Sequence, residues 1–295
     1  MLVHFQYSVI YDLMYHILAH TKVENASNLY SEEYIQRISN SKNETESTLC
    51  KEVDGISKYY NDNFERLGII NFLPCYCSSL QELQNALLTY SGFTEEDRQA
   101  FTQPLCSIIE KEFVFYNDYW SKRYAKTMDG RNRLEQWLKG RFSPYEPLFL
   151  YFEKRINIGF SFALTCNGRG YYQKDAFNAI VPFETMQSTY KNTFYQLLHE
   201  FTHQFTDSVV GTDIKMKDGT HTVSENAAIL FDYYFIRTLY PEDLSSYYEW
   251  IRTATDSDCR DEDSIVSGFP VDNGINERLL QLTNDITHYR PQTAI

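Results

Sequence analysis

The hydrophobic period of this chain changes twice along its length, and that change limits the architectures open to it. Apolar residues recur every three or four positions in 5–19, 29–38, 80–90 and 105–120, the spacing that lines one face of a helix. From 148 the pattern gives way to short aromatic and β-branched runs bounded by Gly, Asn and Pro. LFLYFE (148–153), INIGFSFAL (156–164) and FNAIVPF (177–183) therefore read as strands, with NGRGYYQKD (167–175) turning between two of them. Helical spacing returns in 188–209, 223–239, 243–254 and 275–287. The fold class expected is α+β, a small sheet beside several helices with a helical region in front. Breaks fall at SNSKNETES (39–47), NFLPCYC (71–77) and SGFTEED (91–97), and in the last of these Thr94 and Asp97 have the spacing of a helix-capping pair. RFSPYEP (141–147), with two prolines, is either a hinge between a helical region 1–145 and a second unit 146–295 or a long loop within one domain.

Composition removes several functions. With 295 residues the chain can bury a core without staples. A formal charge of −13 disfavours nucleic acid and anionic membranes as partners, since both reward clustered Lys and Arg. No run of about 18 apolar residues exists to form a transmembrane helix. The first twenty residues carry His4, Asp12, His16 and His20 and lack a basic n-region, so they read as an amphipathic helix rather than a signal peptide. As it stands the chain reads as cytoplasmic, while a trimmed leader would leave no trace, and Asn25-Ala-Ser and Asn43-Glu-Thr match glycosylation sequons. Six scattered cysteines (Cys50, Cys75, Cys77, Cys106, Cys166, Cys259) lack the paired spacing of a zinc knuckle and read mainly as small apolar residues rather than disulfide partners. The 16% aromatic content, including 24 Tyr, reads as core packing before a binding cleft.

One segment carries chemistry. TFYQLLHEFTHQF contains His199-Glu200-Phe201-Thr202-His203, the HExxH pattern. Positions i and i+4 share a helix face, so both imidazoles can reach one zinc ion with the glutamate beside a metal-activated water. By chance the pattern arises in roughly one chain in a hundred of this composition, so its surroundings must support it. Phe194, Leu197, Leu198, Phe201 and Phe205 form an apolar stripe on the same helix, and at about 100° per residue the two histidines project nearly opposite to it. That placement disfavours a core role for the pair. Zinc needs a third ligand and an open position. The best candidate is Glu225 in THTVSENAAILFDYYF, whose helical spacing puts Glu225 and Asp232 on one face, with Asp232 placed to anchor a ligand imidazole. Asp213, in Gly211-Thr212-Asp213, is the rival third ligand.

HEFTH followed by SENAAILFD resembles the gluzincins, the thermolysin-like zinc metallopeptidases in which a glutamate on the next helix joins the HExxH histidines. The resemblance spans about 148–240. It implies a zincin-like catalytic domain, a peptide or protein substrate, Zn²⁺ held by His199, His203 and Glu225, and Glu200 as general base. It further implies that FNAIVPF is the edge strand along the cleft, available to pair with an extended peptide. Two departures stand out. Where the family carries an Asp four residues after the ligand glutamate, this chain has Ile229, so the anchoring role passes to Asp232 or elsewhere. The stretch between the motifs fits no named subfamily, which implies a separate bacterial branch. A metzincin is excluded, because Thr206 and Val209 stand where its Gly and His belong. The family also implies a second oxyanion donor after the third ligand. His288 and Tyr289 suit that place in chain order, with His221, Tyr233 and Tyr234 as rivals, and Arg169 and Arg290 are candidates to bind a substrate carboxylate. The alternative to a peptidase is a catalytically silent zincin-fold binding or scaffold protein, and beyond it a metal-free helical protein in which the motif is accidental.

Overall fold

The computed structural model describes residues 3–21, 32–39, 49–164, 168–211 and 220–289. A strand, β1 (Val3–Gln6), leads into α1 (Val9–His20), whose start is fixed by the Ser8 hydroxyl accepting from the Ile10 amide at 3.1 Å. Then come α2 (Glu32–Ser39), α3 (Leu49–Asp62), α4 (Phe64–Leu67), α5 (Leu80–Thr89), α6 (Glu95–Asp97), α7 (Gln103–Lys126), α8 (Met128–Phe142) and α9 (Glu146–Tyr151). At the start of α6 the expected reciprocal cap forms. The Thr94 hydroxyl accepts from the Asp97 amide at 3.1 Å, and the Asp97 carboxylate accepts from the Thr94 amide at 2.8 Å. The strands β2 (Arg155–Ser161), β3 (Arg169–Gln173) and β4 (Ala176–Pro182) precede five more helices: α10 (Tyr190–Val210), α11 (Thr220–Leu239), α12 (Leu244–Thr255), α13 (Glu262–Gly268) and α14 (Asn273–His288). The architecture is mixed α+β, as the change of hydrophobic period predicts.

The strands form one sheet in the order β1-β2-β4-β3, with β3 antiparallel to β4 and the other pairs parallel. Side chains alternate across it. Ile156, Ile158, Phe177, Ala179 and Val181 enter one core with the α10 stripe, Phe194 to Phe205. Ile180 of β4 and Tyr171 of β3 join a second core built from α1, α3, α5 and α7. The sheet thus divides two apolar cores, and α10 lies along one of its faces.

Four expectations from the sequence are corrected. Residues 3–6 are a strand rather than the front of the first helix, so the sheet draws on both sides of the 145/146 boundary. LFLYFE (148–153) is mostly helix α9, with Glu153 turning the chain at φ 52°. Its run is too short for periodicity to separate helix from strand, and a proline in the first turn, with Leu148 and Phe149 both buried, decides for helix. Most of the expected turn 167–175 is strand β3. Because β3 pairs outside β4, FNAIVPF is an interior strand and β3 is the edge on that side, with β1 the other. RFSPYEP carries the end of α8 through a short 3-10 turn, Ser143–Tyr145, into α9; Phe142 and Tyr145 are fully buried, and Tyr145 stacks on Tyr240 at 4.1 Å between ring centroids.

Helices α3, α8 and α13 have no counterpart among the expected segments. The break at 40–47 lies outside the described residues. Cys75, Cys77, Cys106 and Cys259 are free thiols, the first two half-buried and the last two buried, while the side chains of Cys50 and Cys166 lie outside the description. Among the described residues no helix is long and apolar enough to cross a membrane.

Candidate metal centre

The α10 helix is amphipathic in an unusual sense. Its aromatic stripe packs into the sheet, Phe201 against Phe149 and Phe177 and Phe205 against Phe152 and Phe177. His199 and His203 leave from the other side, toward α11 and α12. One turn apart, their rings lie 4.6 Å between centroids. The neighbouring helix α11 supplies Glu225. His199 Nε2 lies 3.2 Å from Glu225 Oε2, His203 Nε2 is 3.5 Å from Glu225 Oε1, and the two Nε2 atoms are 3.1 Å apart. Among the described residues this is the one group of His, Cys, Asp and Glu side chains whose ligand atoms converge in this way.

These separations fit a tetrahedral ion. With metal–ligand bonds of about 2.0–2.1 Å, the edge of a tetrahedron is about 3.3 Å, and the three observed separations bracket that length. The back of each imidazole is engaged. Nδ1 of His199 donates to Asp232 Oδ2 at 3.3 Å, and Nδ1 of His203 lies 3.4 Å from the Ser224 hydroxyl. The other carboxylate oxygen of Asp232 accepts from the Thr202 hydroxyl, which ties it to α10. With Nδ1 facing Asp232, Nε2 of His199 faces a carboxylate and a second imidazole, an arrangement suited to a cation between them.

The electrostatics carry the same message. Burial pushes the His199 pKa down, but hydrogen bonds and charge from Asp232 and Glu225 outweigh it and raise it to about 10. Burial pushes Glu225 up, yet His199 and His203 hold its carboxyl well below the usual range. Asp232 is raised because burial outweighs His199 and Thr202. The His199 and Glu225 shifts have one cause, the close approach of carboxylate and imidazole, which favours positive charge at this point. Side-chain exposures of 14%, 24% and 36% for His199, His203 and Glu225 make the three partly buried.

Glu200 sits one residue beyond His199 and turns to the sheet edge, where Oε2 accepts from the Gly170 amide of β3 at 2.7 Å. Trp250 of α12 stands 6.0 Å from His199 between ring centroids and walls the other side. Sequence reasoning missed Ser224, Trp250, Gly168 and Gly170. The glycine pair in NGRGYY was the available signal.

Other candidates fall elsewhere. Ile229 is buried in the core, and Asp232 takes the anchoring position. His288, at the exposed end of α14, bonds through Nδ1 to the Asn284 carbonyl at 2.8 Å, and the Tyr289 ring meets Tyr151 of α9 edge-on at 5.5 Å. The contacts described for this pair are with α14 and α9. Tyr233 receives a hydrogen bond from Arg237 and Tyr234 donates to Asn276, both within a buried flank. Arg169 is buried, donates to the Gly168 carbonyl at 2.7 Å and lies over the Tyr15 ring. Asp213, Arg290 and the His221 side chain lie outside the described residues. No protein-family model, curated protein or solved structure matches the chain.

Proposed function

We propose that this chain is a zinc-dependent metallopeptidase of the gluzincin type, with a zincin-like arrangement of sheet edge, HExxH helix and glutamate helix. The observation that carries the reading is the convergence of His199 Nε2, His203 Nε2 and Glu225 at tetrahedral-edge separations, with Asp232 behind His199. His199, His203 and Glu225 would hold the ion. A bound zinc supplies Lewis acidity, polarising a carbonyl and making water a competent nucleophile near neutral pH. Glu200 would be the carboxylate that accepts a proton from an attacking water and gives it to the leaving amine. Trp250 bounds the cleft on the α12 side, and β3, rather than FNAIVPF, offers the sheet edge nearest Glu200. The decisive experiment is zinc content by elemental mass spectrometry on untagged wild type, His203→Ala and Glu225→Ala, followed by a peptide-library screen with Glu200→Gln as the inactive control. About one zinc per chain, lost in both variants, with cleavage abolished in Glu200→Gln, is the expected result. A zinc-free wild type overturns the reading, and full zinc without cleavage replaces it with a silent binding protein.

A further inference from the structure

At position 168 a side chain would displace the carboxyl end of Glu200. A Cβ there would lie 2.6 Å from Oε1, 2.8 Å from Cγ and 2.9 Å from Cδ. At Gly170 a Cβ would lie 2.9 Å from the Glu200 carbonyl oxygen and 3.2 Å from Oε2. Gly170 occupies an ordinary strand position and is absent from the left-handed region, so backbone conformation does not demand glycine there. Space does: without side chains the sheet edge approaches α10 closely enough for the Gly170 amide to reach Oε2 at 2.7 Å, the short range of a charge-assisted bond.

We propose that Gly168 and Gly170 are positioning residues for Glu200. The Gly170 amide holds Oε2, and the bare backbone at Gly168 forms the floor on which the carboxylate rests. Oε1 is then the oxygen that accepts the proton. The inference rests on the peptidase reading for its catalytic meaning but not for the contact itself. A glutamate side chain free in solution samples many rotamers, and fixing one oxygen in advance removes that search from the reaction. The two glycines differ in what a methyl group displaces. At Gly168 it meets the flexible end of Glu200, which swings away at little cost to the fold, whereas at Gly170 it meets the backbone of α10.

Two measurements test this. Amide hydrogen exchange by NMR on labelled full-length protein, wild type against Glu200→Ala, should show Gly170 exchanging about ten- to a hundredfold faster once its charged acceptor is gone, with Tyr171 unchanged. Gly168→Ala should keep wild-type zinc content, melting temperature and KM, while kcat falls about a hundredfold, the cost of moving a reacting group by an ångström. Unchanged Gly170 exchange in Glu200→Ala overturns the contact whether or not the protein cleaves peptides. Wild-type kcat in zinc-loaded Gly168→Ala overturns the positioning role. A wild type that binds zinc and cleaves nothing defeats the activity alone, and the exchange result still decides the contact.

Discussion

Asp232→Asn exchanges one oxygen for nitrogen in a side chain fully buried between α10 and α11. In the wild type its carboxylate accepts from His199 Nδ1 at 3.3 Å and from the Thr202 hydroxyl. Burial raises its pKa, so the charged form costs the metal-free protein stability even as it orients the ligand. An asparagine keeps the shape and one acceptor oxygen but removes the charge that makes His199 a strong ligand. Loss of such a ligand-orienting partner weakens metal binding by about ten- to a hundredfold, or about 1.4–2.7 kcal/mol. The metal-free fold, relieved of a buried charge, should be unchanged or slightly more stable, within about 1 kcal/mol. Zinc affinity is read by competition with a chromophoric chelator on metal-stripped protein at pH 7.5, and fold stability by thermal melting in chelator. Zinc affinity within a factor of about three of wild type would falsify the assignment of Asp232 as the anchor of His199, since the smallest expected effect is tenfold. A large drop in metal-free melting temperature would show that the side chain serves the core instead.

Three further outcomes are expected. Zinc added to stripped wild type at about a hundred times its Kd should stabilise the fold by about 2.7 kcal/mol, and the same addition should leave Glu225→Ala unmoved; a calorimetric melt decides it. Asp97 accepts from Arg66, Thr94 and Tyr59, which hold its carboxyl well below the usual range. A depressed pKa gives stability that is fully present above the unfolded value near 4 and lost as pH falls from there through the lower folded value. Asp97→Asn should therefore destabilise the protein at pH 7 by on the order of 1 kcal/mol through the weakened cap, with the gap to wild type closing below pH 4 in melts across pH. The Tyr76 hydroxyl donates to the Tyr172 carbonyl at 3.1 Å and covers the outward side of β3. Tyr76→Phe should leave melting unchanged within about 0.5 kcal/mol and, on the peptidase reading, lower KM for extended peptides; a raised KM would mean that the hydroxyl contacts substrate.

Much of the site was legible because its information is carried by residue type and spacing. His199 and His203 at i and i+4, opposite an aromatic stripe, follow from helix geometry alone, and Glu225 with Asp232 follows from the next helix. The partners of Glu200 were hidden because one is a backbone amide and the other an empty space, and neither has a side chain to read. The sheet was legible only where strands are fully buried and apolar, as in β2 and β4. β3 was masked by glycines that resemble a turn, and its absence from the reading displaced the edge assignment to FNAIVPF. The helix α9 was lost to the ambiguity of a six-residue apolar run. His288 and Tyr289 were chosen by order along the chain, and the contacts described for them are with Asn284 and Tyr151.

The pairing of Val3 with Ile156 joins residues about 150 positions apart, and β2 reaches β4 past the intervening strand β3. Only the β3–β4 hairpin closes locally, through Lys174 and Asp175. Loop entropy for β1 must therefore be met before that strand contributes anything, and high contact order slows folding. At synthesis rates of about 5–20 residues per second, the segment His4-Phe5-Gln6 waits roughly 8–30 s for its neighbour to be made. During that interval it is an unpaired apolar-edged strand, open to capture by other chains. Removing these few residues would leave β2 as the new sheet edge and strip cover from Phe160, which stacks on Phe5 at 6.0 Å. Folding yield from a slow, dilute refolding should therefore exceed that from a rapid, concentrated one, and the difference should narrow when β1 is supplied early, as in a circular permutant that places it directly before β2.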